Sequence, residues 1–220
     1  FDVAMNIFVL AAMMAICAKY HSDKHVVKMI VEMTQLLCTA HWNNDGAKPF
    51  DEAYRKTHSG HPWALWVGES LLNYRWTCDQ ALALCDEYNR RFEKGDVQHK
   101  CRALIERLRE TPCKTWRSFE EARNPEVLPE PVAVGRRTPS PAKKGSPKRK
   151  LKLKPAVVRV APPRAGLTPM PVCTGSYEVP QWCLDLGAVW SYRAYYSSTD
   201  KQKIHRWNRQ EAPRWLGALA

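Results

Sequence analysis

Between Tyr20 and Leu37 the chain reads YHSDKHVVKMIVEMTQLL. On a helix turning about 100° per residue, His21, His25, Lys28, Glu32 and Gln35 fall on one line, within about 40° to either side. Val26, Met29, Ile30, Met33, Leu36 and Leu37 form an apolar stripe on the adjoining face, at the spacing of a helix that faces a core. Two imidazoles, an amine and a carboxylate are therefore held beside the core. Together these groups can move protons, attack an electrophilic carbon or steady a developing positive charge. Taken singly, each also fits an ordinary i,i+4 network at a helix edge.

A second concentration of polar groups follows. His58-Ser-Gly-His61 leads into Pro62, a residue favoured in the first turn of a helix, and the spacing places Trp66, Glu69, Ser70 and Asn73 on one side of that helix. His61 and Glu69 join the stripe as catalytic candidates, with a shared cleft expected for His25 and His61. His58, Trp66 and Asn73 are candidates for contact with a ligand. Near the C-terminus aromatic residues interleave with bases, in Tyr192-Arg193-Ala-Tyr195-Tyr196 and then Lys203, Arg206 and Trp207. Such a pattern suits stacking on exposed bases with cationic contacts to phosphate. It suits equally a helix whose aromatics fill the core and whose bases are solvated.

These groups need a scaffold, and the periodicity describes a mainly α protein: a compact helical single domain with a basic, Pro-rich insertion. Asn6 to Leu10 reads as a short buried strand or extended arm running into a first helix at Ala11 or Ala12 that ends near His41. Asn43 to Gly46 has strong turn chemistry. A second helix is expected from Pro62 to about Phe92, stopped by Gly95, and a third from Val97 to Glu110, capped by Asp96 and facing Cys101, Leu104, Ile105 and Leu108 inward. The expected organisation is a core over 1–123, a disordered basic linker over 124–171, and a C-terminal segment over 172–220 that packs on the core.

Charge and cysteine content restrict the function classes. The 220 residues carry a formal net charge of +12, which suits a polyanionic partner such as nucleic acid. Between Asn124 and Pro171 there are eleven Lys or Arg against two Glu, so most of the excess lies in the linker. The eight cysteines include no CxxC pair and no zinc-finger spacing, and read as buried thiols of a reducing compartment. Ile7 to Ala18 is apolar but too short to span a bilayer, and no basic n-region precedes it. A cytoplasmic monomer without cofactor or membrane partner is expected, with its natural start at Met5.

Several segments carry a resemblance. MNIFVL, YHSDKHVVKMIVEMTQLL, THSGHPWALWVGESLLNYRW and the closing YRAYY with KIHRWNRQEAPRW resemble a family of small phage-encoded pyrimidine dimer DNA glycosylases, loosely grouped with endonuclease V of T-even phages. The resemblance covers roughly Met5 to Phe92 and Trp190 to Trp215. It implies an all-α enzyme of host-cell cytoplasm that acts on DNA, removes damaged or modified pyrimidines and nicks the strand through an imine to an N-terminal amine, with a supporting glutamate. Asn6 after Met5 does not fit that N-terminal nucleophile; the substitute amine is Lys28, its pKa lowered by burial and by protonated imidazoles nearby, with Glu32 one turn on. Two other readings of the same residues remain: a metal-dependent hydrolase with His21, His25, His58 and His61 as ligands, and a non-catalytic DNA-binding accessory protein whose stripe grips phosphates.

Overall fold

The computed structural model describes residues 6–118 and 157–216. The architecture is mainly α. Its centre is a pair of 22-residue helices, α2 (Asp23–Asn44) and α4 (Leu71–Phe92). They run antiparallel: His41 near the end of α2 meets Tyr74 in the first turn of α4, and Asp23 at the start of α2 meets Arg91 in its last turn. Helix α1 (Met14–Tyr20) packs on α4, α3 (Pro62–Val67) on α2, and α5 (Arg102–Glu110) on α4 and α2. Val26, Met29, Ile30, Met33, Leu36 and Leu37 are all at most 1 % exposed, so the apolar stripe faces the core as its period requires.

The expected first helix is two helices. The chain breaks at His21 and Ser22, both in extended conformation. Distant residues hold the break open: the Ser22 amide donates to the Tyr196 hydroxyl at 2.8 Å and the Asp23 amide to the Arg206 carbonyl at 2.9 Å. Two of the amide donors at the start of α2 are thereby satisfied by the C-terminal segment. The side chain of Arg91, fully buried, donates to the carbonyls of Lys19 and His21 and pairs with Glu87 and Asp23.

The expected second helix is also interrupted. Helix α3 starts as anticipated with Pro62 in its first turn, and the His61 ring accepts from the Trp63 amide. It ends at Gly68, and Ser70 caps α4 by accepting from the Asn73 amide at 3.1 Å. A Cβ at Gly68 would stand 3.1 Å from the Asn44 side chain, whose amide donates to the Gly68 carbonyl at 2.9 Å, so a larger residue would press on that contact. Helix α5 is shorter than expected: the His99 ring, rather than Asp96, accepts from the Cys101 amide, and Val97 is solvent-exposed.

Asn6 to Leu10 is a buried arm without a ladder partner among the described residues. Its polar groups are met one by one: the Asn6 amide by Glu32, the Leu10 amide by the Cys17 sulfur, and the Leu10 carbonyl by Arg193. Residues 119–156 of the expected linker lie outside the described residues, and with them most of its basic run. From Val157 the chain is ordered, contrary to the expectation of a linker to Pro171. β1 (Arg159–Val160) pairs antiparallel with β2 (Met170–Pro171), and Val160 and Met170 are buried. Helices α6 (Gln181–Asp185), α7 (Ala188–Tyr196) and α8 (Thr199–Gln202) follow. Gly187 joins α6 to α7 at φ 94°, where a Cβ would meet the Ala161 carbonyl at 2.7 Å.

All eight cysteines are free thiols, seven of them buried. No helix among the described residues is long and apolar enough to cross a membrane.

Candidate active site

Three segments converge on the ionisable face of α2: the N-terminal arm, α7, and α8 with the turn after it. Glu32 is the group around which they gather. It is 5 % exposed, forms an ion pair with Lys28 at 2.8 Å and accepts from the Asn6 amide at 3.3 Å. Asn6 is itself fixed: its side-chain oxygen accepts from the Trp63 indole at 2.8 Å, and its amide nitrogen donates to the Cys173 carbonyl at 2.6 Å. Position 32 lies at i+4 from Lys28 on an uninterrupted helix, so the pairing is local. The burial of the carboxylate comes from the arm laid across it.

Lys201 faces this pair from α8. Its amine stands 4.7 Å from the centre of the Tyr195 ring and 5.5 Å from that of Phe8. Burial, and next the positive charge of Lys28, lower its pKa, while Glu32 acts in the opposite sense. Lys201 also lines an open cleft of about 910 Å³, with Tyr177, Glu178, Tyr195, Thr199 and Asp200 on its walls. That volume lies in the range of small-molecule sites and exceeds what one nucleotide needs.

Behind the amines lies a group of neutral imidazoles. The His25 Nδ1 is 2.8 Å from the Tyr196 hydroxyl, and its ring stacks on Phe8 at 4.8 Å. His205 stacks on Tyr196 at 3.9 Å and meets His25 edge-on at 5.1 Å, and neither of its buried ring nitrogens has a hydrogen-bond partner among the described residues. Burial above all pulls the pKa of His21 down to about 4, that of His25 to about 2 and that of His205 to about 3. Near neutral pH these rings carry no charge, so protonated imidazoles are not what acts on Lys28, contrary to the expectation from sequence. The Lys28 side chain is 42 % exposed and paired with Glu32, and the amine whose pKa is lowered is that of Lys201, which is half-buried.

The remaining expected site residues divide. His21 is buried beside the stripe but caps α1 rather than belonging to α2, its Nδ1 at 2.8 Å from the Cys17 carbonyl. His58 and His61 belong elsewhere. Their loop is tied to Thr39 and Asn43 through Thr57 and Ser59, roughly 20 Å along the helix from His25 at 1.5 Å per residue. The expected His25–His61 cleft is therefore not built, nor is a four-histidine metal set. Glu69 pairs with Arg159 at 2.6 Å, and Trp66 and Asn73 bind Thr168. These three hold the β-hairpin against the core, and both Trp66 and Asn73 are fully buried.

Tyr192 and Tyr196 are also fully buried, so neither presents a face for stacking. Arg193 donates to the Leu10 carbonyl and lies over Tyr20 and Trp215. Tyr195 is half-buried on the cleft wall, Trp207 packs on His205, and Lys203 and Arg206 are exposed. Sequence reasoning missed Asn6, Lys201 and His205 as site residues. The i,i+4 spacing of Lys201 and His205 was the available signal. No family model, curated protein or solved structure matches the chain.

Proposed function

We propose that this protein is a DNA-acting base-excision enzyme, a glycosylase for damaged or modified pyrimidines in duplex DNA. The observation that carries the reading is the buried Glu32 carboxylate, paired with Lys28 and acting electrostatically on Lys201, whose side chain lines an open cleft. Breaking a glycosidic bond builds positive charge on the sugar, and a fixed carboxylate in a partly dry site is well suited to stabilise it. A base taken out of the duplex stack enters such a cleft, and the net charge of +12 favours the polyanion.

Of the two amines, Lys201 is the better nucleophile, because burial and the Lys28 charge raise its unprotonated fraction. In the proposed step the Lys201 nitrogen attacks C1′ and the C1′–N bond breaks. The base leaves with the bonding pair and takes up a proton, and the Lys201 nitrogen loses one. Opening of the sugar ring then gives an imine between C1′ and Nζ, with Glu32 placed to accept and return protons. Lys28 holds the Glu32 carboxylate in place through their 2.8 Å contact.

The test is a gel assay on duplexes carrying a panel of damaged and phage-type modified pyrimidines. Heat and alkali report base loss, borohydride traps any imine, and Glu32→Gln is the control. Base release that depends on Glu32, with a trapped adduct that depends on Lys201, is expected. Release without trapping would leave a glycosylase that uses water. No release from any substrate would overturn the reading.

A further inference from the structure

At the opposite end of α2, three side chains of metal-ligating type converge: His41, Asp45 and Cys113, whose ligand atoms all lie within 4.8 Å of one another. We propose that they form a binding site for a borderline divalent metal ion of the zinc class, with His41 Nδ1, an Asp45 oxygen and the Cys113 thiolate as ligands and water in the fourth position. The site is independent of the reading of the Glu32 cleft.

The hydrogen bonds around His41 carry the argument. The Tyr74 hydroxyl lies 3.3 Å from the Leu108 carbonyl and 3.0 Å from His41 Nε2. With the hydroxyl proton on the carbonyl, the ring proton sits on Nε2 and the lone pair of Nδ1 faces Asp45 Oδ2 at 3.4 Å, the tautomer that a metal ligand needs. In that tautomer two acceptors face each other, and a cation between them satisfies both. A proton would satisfy that pair alone. The sulfur of Cys113, converging on the same point, supplies a third donor that a proton has no use for and a metal ion does.

The spacing and the surroundings agree. Tetrahedral zinc bonds of about 2.0–2.1 Å to nitrogen and oxygen put those ligands about 3.3 Å apart, and a bond of about 2.3 Å to sulfur widens its edges slightly. The 3.4 Å between His41 and Asp45 is close to that edge. Asp45 is aimed by its other contacts: Oδ1 accepts from the Thr115 amide at 3.1 Å, the Lys114 amide lies 3.1 Å from both Oδ1 and Oδ2, and the Thr115 hydroxyl stands 3.1 Å from Oδ1 and 2.8 Å from the Asn44 carbonyl. Tyr74 on His41 Nε2 is the outer partner that a metal-bound imidazole ordinarily has. Asp45 is 17 % exposed, which gives the ion a way in from solvent and room for a water ligand. One nitrogen, one oxygen and one sulfur donor favour zinc, or cobalt as its spectroscopic substitute, over calcium or magnesium, which take oxygen. The ion would tie the end of α2 to the segment that follows α5.

The full chain, stripped with chelator, is titrated with Co2+ and followed by absorption. Expected are one equivalent bound, visible bands of tetrahedral cobalt, a thiolate-to-cobalt charge-transfer band in the near ultraviolet, and stoichiometric displacement by Zn2+. Cys113→Ser should remove the charge-transfer band, while Cys183→Ser should keep it. Asp45→Asn preserves an acceptor for the amides and keeps the segment in place, and should weaken Co2+ binding by at least about tenfold, the scale of disturbing a ligand's surroundings. No charge-transfer band at one equivalent, a band that survives Cys113→Ser, or unchanged affinity in Asp45→Asn would overturn the proposal.

Discussion

Lys28 Nζ and the Glu32 carboxylate lie 2.8 Å apart on successive turns of α2, the amine 42 % and the carboxylate 7 % exposed. The pair thus crosses from solvent to interior within one helical turn. An exposed i,i+4 pair of this kind contributes well under about 1 kcal/mol. Its value here is positional: Lys28 and the Asn6 amide hold a buried acceptor at one place and in one orientation.

Glu32→Gln keeps an oxygen for the Asn6 amide and removes the charge. Under the proposed chemistry, single-turnover base release should fall about 100-fold or more while DNA affinity changes little, the scale of losing one positioned charged group. Lys201→Met should abolish borohydride trapping, whereas Lys28→Met should lower the rate and leave trapping intact. Rates and trapped adduct are read on the same gels. Equal trapping in both lysine variants would remove Lys201 from its assigned role.

The buried imidazoles set a pH dependence of stability. His21, His25 and His205 have folded pKa values of about 4, 2 and 3, each below the ordinary 6.5. Above pH 6.5 both folded and unfolded forms are neutral and the full stability is present. As pH falls below 6.5 the unfolded chain takes up protons that the native state excludes, and stability drops until the folded pKa values are passed. Each ring lowers it by up to about 1.4 kcal/mol per pH unit in that window. His205→Phe keeps the stacking on Tyr196 and removes two unpaired buried nitrogens. Urea unfolding at pH 5 and 7 should show the variant more stable than the parent at pH 5, with a shallower slope.

Arg91 joins the break between α1 and α2 to α4. Arg91→Met leaves the carboxylate of Glu87 with Arg90 alone, the Lys19 carbonyl with Gln210 alone and the His21 carbonyl without its donor. A loss of about 3–5 kcal/mol in urea unfolding is expected, since one partner of a buried charged network is removed. Lys100→Met, at an exposed position, should change stability by less than about 0.5 kcal/mol.

Residues 135–155 carry nine Lys or Arg and no acidic residue. Their deletion should weaken binding to any duplex and flatten its salt dependence, by about 0.9 in the log–log slope per lost phosphate contact. Binding isotherms at several salt concentrations measure this. Turnover at low salt and saturating DNA should survive, because Glu32, Lys28 and Lys201 all lie outside the deleted segment.

Helix α2 was legible before any coordinates because both of its stripes follow one period, and the pairing of Lys28 with Glu32 is a consequence of i,i+4 spacing alone. The end of α2 was legible in part, since the helix takes in Asn43 and Asn44 and the turn begins only at Asp45 and Gly46, and the start of α3 at Pro62 was legible for an equally local reason: residues that tolerate a given φ, or require one. The corner at Gly68 to Ser70 left a local signal as well, a small residue followed by a capping serine, but the hydrophobic period on either side masked it.

What tertiary structure decided is which polar residues are buried and what they meet. Trp66, Glu69 and Asn73 lie on two helices and the corner between them rather than on the one helix face that their spacing implies, and they meet Thr168 and Arg159, some 90 to 100 residues away along the chain. Nothing local separates a side chain that binds a ligand from one that binds a hairpin. The break at His21 depends on Tyr196 and Arg206, so helix propensity near residue 21 carried no trace of it. Lys201 reads in sequence as one of many surface amines. Its depressed pKa follows from Phe8, Tyr195 and Lys28 closing around it, and only the packed chain brings an N-terminal arm, α2 and α8 to one place.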